Sequence, residues 1–201
     1  MSQTGIIILA AGTASRMGKP KQLIQYEGNS FIRRITMEAV REPAHPVVVV
    51  LGAYSDAIVP EIQDLKIHIA INHAYHTGMA GSLTTGLNFL LEKYNLAQVI
   101  FVVADQPFVT ADLFAAMINC KTVSGKGIVA CSYSGTTGTP VLFDGKYFPA
   151  LRGLTREEGA KRIVHQNKDD LATVVFEAGA IDIDTAADYN RIIFNKGNDH
   201  A

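Results

Sequence analysis

The chain has 201 residues, with 18 Lys and Arg against 19 Asp and Glu and a formal charge of −1 at pH 7. That balance excludes a broad electrostatic surface for nucleic acid or membrane, so an anionic ligand must be met locally by a few placed cations and backbone N–H groups. Hydrophobic residues at 48% and charged ones at 18% exclude a disordered chain and suit a substantial core, predicted as a single domain over residues 1–201.

From the N-terminus, MSQTG carries no basic residue ahead of its apolar run, and IIILAA is too short for a signal-peptide core. Gly5 to Ala10 is predicted as a buried strand entering a loop. Phe31, Ile32, Ile35, Ala39 and Val40 fall at helical spacing within Ser30 to Val40. PVVVVL from Pro46 is a second central strand, closed by Gly52. Ser55 to Leu65 is predicted helical, with Pro60 interrupting it. Lys66 to Ile71 alternates with period two, Ser82 to Lys93 is a helix, and QVIFVV from Gln98 is a further strand. Thr110 caps a helix to Ile118. Gly127 to Ser132 and Thr139 to Phe143 flank a Ser-Gly-Thr-Thr-Gly turn and predict a hairpin. Glu157 to Gln166 is predicted helical, Leu171 to Phe176 a strand, and Ala186 to Asn195 a last helix capped by Thr185. Cys120 and Cys131 form no CxxC pair and no disulfide framework, and no run nears the ~20 apolar residues of a membrane span, so a soluble, reduced, cytoplasmic protein is expected.

Continuous apolar strands separated by helices predict an α/β fold, a three-layer α/β/α sandwich whose Rossmann-like, mainly parallel sheet has a mixed edge. Ligands of such sheets sit beyond the C-terminal strand ends, which selects the loops 10–21, 72–82 and 104–108. In the first, LAAGTASRMGKPK, the small residues Ala10, Ala11, Gly12 and Thr13 let backbone amides approach a phosphate closely. Ser15, Arg16, Lys19 and Lys21 add a donor and three cations, the combination a triphosphate needs. Five residues separate Gly12 from Gly18 and Pro20 follows Lys19, so the loop is neither a Walker A motif nor GxGxxG. Asp105, one residue past its strand and stiffened by Pro107, is placed to hold a metal, although a turn aspartate bonding local backbone fits the pattern equally. Gly78, Gly81 and Ser82 lead into a helix N-terminus able to seat a base or phosphate. His73 and His76 lack acidic or Cys neighbours and are expected to be plain loop residues. Asp182 and Asp184 project the same way at a strand end, and at least one is a candidate to join Asp105 at a cation, a charged helix cap being the alternative.

Taken together and in this order, the loops resemble those of the MobA-like NTP transferases, and within them the MocA-like molybdenum cofactor cytidylyltransferases, over nearly the whole chain. LAAGTASRMGKPKQL is similar to the family's nucleotide loop at Ala11, Gly12, Ser15, Arg16, Met17, Gly18 and Lys21. NHAYHTGMAGSL matches a second block at Asn72, Gly78, Met79, Ser82 and Leu83, and ADQPFVT the metal loop at Asp105, Gln106 and Pro107. GTPVLF and DIDTAADY match two later blocks. Departures are Ala104 for a usual glycine, Ala80 and Gly81 for small hydroxyl residues, and Arg156-Glu157 for a Gly-Asp pair in the region expected to face the acceptor.

The resemblance implies a nucleotide-diphospho-sugar transferase-like fold and a Mg²⁺-dependent transfer of CMP from CTP onto a phosphorylated pterin, with a molybdoenzyme as eventual recipient. It assigns Arg16, Lys21 and Asp105 to catalysis, Asp105 and Asp184 to the metal, and Leu9, Ala10, Ala11, Gly12, Thr13, Ser15, Asn72, Gly78 and Ser82 to the nucleotide. Ala11 fits the cytidylyl branch, since the guanylyl branch usually has glycine there. Two alternatives stay open: the same fold using GTP or another phosphorylated acceptor, and a non-catalytic cofactor-binding maturation factor.

Overall fold

The computed structural model describes residues 3–13, 20–41, 45–155 and 159–181. The apolar run at the start becomes β1 (Gln3–Ala10), buried from Thr4 onward. A short antiparallel pair follows, β2 (Gln25–Tyr26) and β3 (Asn29–Ser30). Next come α1 (Phe31–Ala39), β4 (Val47–Leu51), α2 (Ser55–Ile62), β5 (His68–Ile71), α3 (Met79–Lys93) and β6 (Leu96–Val103). The rest is α4 (Ala111–Ser124), β7 (Ile128–Tyr133), β8 (Thr136–Asp144), α5 (Phe148–Arg152), α6 (Lys161–Gln166) and β9 (Leu171–Val175).

Among the described residues, seven strands make one sheet in the order β5-β4-β1-β6-β8-β7-β9. Only β8 runs against its neighbours, antiparallel to both β6 and β7, while the other pairings are parallel. Alternating side chains of each strand feed two cores. Ile6, Ile8, Val49 and Val102 pack under α1, α2 and α4, whereas Ile7, Val50, Phe101 and Phe143 pack under α3, α5 and α6. The expected three-layer sandwich with a mixed edge is therefore the observed one. From β1 the chain builds outward through β4 to β5, then returns to place β6 on the other side of β1. The resulting switch point opens a crevice between the ends of β1 and β6.

Several local expectations change. Pro60 lies inside α2 without interrupting it, because its missing N–H removes one intrahelical bond while Ile58 and Ile62 anchor the helix in the core. The hairpin turn is two residues rather than five. Ser134 (φ 47) and Gly135 (φ 73) both take positive φ, which fits the right-handed twist of the strands and lets Thr136, Thr137 and Gly138 join β8. Helix α3 starts at Met79, three residues before Ser82, because Gly78 at φ 113 turns the chain into it. Helix α4 runs on to Ser124, where Gly125 at φ 67 ends it with a left-handed cap. The pair β2–β3 and the helix α5 carried no pattern in the sequence. Of the helix expected over 157–166, Lys161–Gln166 is observed; its start, Arg156, Glu157 and the expected last helix lie outside the described residues. No helix is long and apolar enough to cross a membrane among the described residues.

Candidate active site

A cleft of about 370 Å³ opens at the switch point, walled by residues of all three loops selected from the sequence: Leu9 to Thr13, Tyr75 to Ser82, and Val103 to Asp105. Each wall has its own cause. The first is the end of β1, where Ala10 and Ala11 are buried and Gly12 and Thr13 are exposed. A Cβ on Gly12 would meet nothing within 4 Å, so the missing side chain leaves the space beside the backbone open to a ligand. Gln22 holds this segment from beneath, its Nε2 donating to the carbonyls of Ala10 at 3.3 Å and Gly12 at 3.4 Å. Tyr54 donates its hydroxyl to the Thr13 carbonyl at 3.3 Å. Lys21, in a single 3₁₀ turn after Pro20, is only 9% exposed and lines the cleft, which brings a cation to the place where the backbone is most open.

The second wall is the entry to α3. Asn72 follows β5 and is 5% exposed. Its Nδ2 donates to Ser82 Oγ at 2.9 Å and its Oδ1 accepts from the Ala74 N–H at 3.0 Å, so its amide is spent on the loop itself. Gly78 forms the cap of α3 with no side-chain bond to the helix start. The first amides of a fifteen-residue helix, with their positive end, therefore border the cleft. Ala11 is 5% exposed and packs toward Gly52, where an added Cβ would come within 2.9 Å of the Ala11 Cβ and 2.7 Å of the Tyr75 Cβ. The Ala11 methyl thus fills the gap between the first and second walls, and Ala11 still lines the cleft.

The third wall follows β6. The Ala104 N–H donates to the Leu9 carbonyl at 3.1 Å, locking the two strand ends together, and Asp105 comes next on the cleft surface. Gln106 donates through Nε2 to the Thr139 carbonyl at 3.0 Å, its buried Oε1 having no partner among the described residues. The Tyr133 hydroxyl is pushed above its usual range first by burial and further by its neighbours Cys131 and Asp105. The field of Asp105 thus reaches the β7–β8 hairpin.

The structure brings Leu9, Ala11, Gly12, Thr13, Lys21, Gly78, Ser82 and Asp105 to one cleft. Ala10 and Asn72 stand behind it as supports. Ser15, Arg16 and Asp184 lie outside the described residues. His76, expected to be a plain loop residue, lines the cleft; among the described residues no group of three or more His, Cys, Asp or Glu could by itself hold an ion. The residues missed in the sequence are Gln22 and Tyr54, whose only signal was a polar or aromatic side chain at no particular period, and Tyr75, which lines the mouth.

An open backbone segment, a buried lysine, a helix N-terminus and, among the described residues, one lining carboxylate meet at the switch point of a mostly parallel sheet, an arrangement suited to an anionic ligand such as a nucleotide. Residues 6–171 match the MobA-like NTP transferase domain, and the chain belongs to that family. A protein named nicotine blue oxidoreductase from Paenarthrobacter nicotinovorans is 24% identical over 198 residues, covering 93% of this chain and 95% of that one. A probable molybdenum cofactor guanylyltransferase of Bacillus cereus (strain AH187) is 27% identical over 90 residues, 45% of this chain and 44% of that protein. The manganese complex of Rv0371C from Mycobacterium tuberculosis superimposes with a TM-score of 0.77 at 20% identity, covering 96% of this chain and 99% of that one.

Proposed function

We propose that the protein transfers CMP from CTP to the phosphate of a pterin-type acceptor, releasing pyrophosphate, in chemistry of the molybdenum cofactor. The observation that carries this reading is Lys21 and Asp105 facing one cleft beside the open backbone at Gly12. The triphosphate lies along residues 10–21, with Lys21 and Arg16 on its β and γ oxygens. An oxygen of the acceptor phosphate attacks the α-phosphorus in line. The new P–O bond forms as the bond to the bridging oxygen breaks, and that oxygen leaves with its electron pair on pyrophosphate. The attacking phosphate is already ionised, so no protein base is needed; charge neutralisation and alignment supply the rate.

A divalent cation fits the donors present. Asp105 brings a hard carboxylate to the cleft, and Mg²⁺ is typically held by one or two carboxylates with phosphate oxygens and water filling the remaining positions. Asp184 is the proposed second carboxylate. Such an ion supplies Lewis-acid neutralisation of the α-phosphate. A molybdoenzyme would then receive the finished dinucleotide.

Base choice follows from the volume that the Ala11 methyl occupies at the cleft wall beside Gly52 and Tyr75. A cleft narrowed by a methyl admits a pyrimidine more readily than a purine, a discrimination of ~1–3 kcal/mol. CTP is expected to exceed GTP by at least about tenfold in kcat/KM, with Ala11→Gly narrowing the gap without reversing it. The testing experiment is pyrophosphate release across four NTPs and a set of phosphorylated acceptors. GTP equal to or better than CTP would contradict the cytidylyl assignment alone. A second reading is favoured by the near-full-length relative named an oxidoreductase. Under that reading no NTP would release pyrophosphate, and the cleft would serve a redox reaction instead.

A further inference from the structure

Ala74 fixes which way the Asn72 amide points. Its backbone N–H can only donate, so the atom it meets at 3.0 Å must be Oδ1. The other end is then Nδ2, a group that can only donate, and it faces Ser82 Oγ at 2.9 Å. Ser82 therefore accepts from Asn72, and its own proton is left for a different partner. Hydroxyls deeper in helices give that proton to the carbonyl one turn back, as Thr36 does to Ile32 at 2.6 Å and Thr85 to Gly81 at 2.8 Å. Ser82 makes no such bond, and among the described residues no acceptor takes its proton. Asn72 and Ser82 are 5% and 4% exposed, and Ser82 nevertheless lines the cleft beside Leu9 and Gly12.

We infer that Asn72 is a positioning residue that never touches the nucleotide but holds the Ser82 hydroxyl so that its proton is offered into the cleft, to an accepting oxygen or ring nitrogen of the bound nucleotide. The inference rests on the nucleotide reading above. It leaves the Ser82 proton to be satisfied from the cleft, favouring ligand atoms that accept.

Asn72→Asp tests it by redirecting that proton. A carboxylate still accepts from Ala74, but its second oxygen draws the Ser82 proton away from the cleft. CTP with Mg²⁺ is titrated against wild type, Ser82→Ala, Asn72→Asp and the double variant, with melting temperatures measured in parallel. Ser82→Ala alone should weaken CTP by about 3- to 10-fold, the size of one neutral hydrogen bond. The same change made on Asn72→Asp should do nothing further, because the donor is already lost. Repulsion between the new carboxylate and the triphosphate acts with or without Ser82, so it leaves that equality intact. Multiplying penalties in the double variant would overturn the inference. So would wild-type affinity in Ser82→Ala, which stands as a test even if Asn72→Asp does not fold. A wild-type protein that binds neither CTP nor GTP would remove the nucleotide reading and this inference together.

Discussion

Asp105 owes its position to backbone: one residue past the Leu9–Ala104 hydrogen bond, it has little freedom to withdraw from the cleft. Asp105→Asn keeps the shape and removes the charge. Turnover should drop by roughly 100-fold or more, consistent with several kcal/mol of charge stabilisation, while the melting temperature moves little. Wild-type turnover by the variant would remove Asp105 from the chemistry. A different aspartate carries stability. Asp170 accepts from Lys146 at 2.8 Å, from the Tyr147 hydroxyl at 2.6 Å and from the Gly127 N–H at 3.0 Å. Lys146 first and Tyr147 second hold its carboxyl at about 2 against an ordinary 3.8. Since the folded value lies below the unfolded one, this contribution is complete above about pH 4 and is lost as pH falls through about 2. Urea unfolding between pH 5 and 2 should show wild type losing stability more steeply than Asp170→Asn; parallel profiles would show that the network is not linked to folding. Neither Asp170 nor Gln22 was legible as a hub in the sequence. A carboxylate gathering three donors from two separated segments, or an amide clamping two carbonyls, leaves no periodic trace.

Among the elements, the strands were the most readable, because a strand buried on both faces must be a continuous apolar run. IIILA, VVVVL and QVIFVV are such runs. Elements missed or misjudged are those decided by a few backbone angles: the two-residue turn at Ser134-Gly135, the early start of α3 at Gly78, and the two-residue pairing of β2 with β3. Helix α3 shows how closely an element is fitted. A Cβ on Gly86 would lie 2.5 Å from Ile7 Cγ2 and 2.8 Å from Val50 Cγ2, both on stiff β-branched side chains in the core. Gly86→Ala should therefore cost about 1–3 kcal/mol despite the better helix propensity of alanine. Denaturant unfolding decides this, and a stabilised variant would mean that α3 can shift away from the sheet without penalty.

The whole molecule is a sheet whose order reverses at β1, and that reversal alone brings residues 9–13, 72–82 and 103–105 to a single cleft. This much could be anticipated, since ligand loops of such sheets follow the strand ends. What composition and spacing could not supply was the division of labour at the cleft: Lys21 and Asp105 on its surface, Gln22 on that surface clamping the carbonyls of Ala10 and Gly12, and Asn72 behind it as a support. The central claim is that this cleft moves a nucleotidyl group. The measurement that reaches it most directly follows label from α-³²P-CTP in the presence of Mg²⁺ and a phosphorylated pterin, with wild type and Asp105→Asn side by side. The predicted result is label in a pterin dinucleotide, one pyrophosphate released per product, and neither with the variant. Label remaining in CTP across every acceptor offered, with the nucleotide bound but unspent, would contradict it.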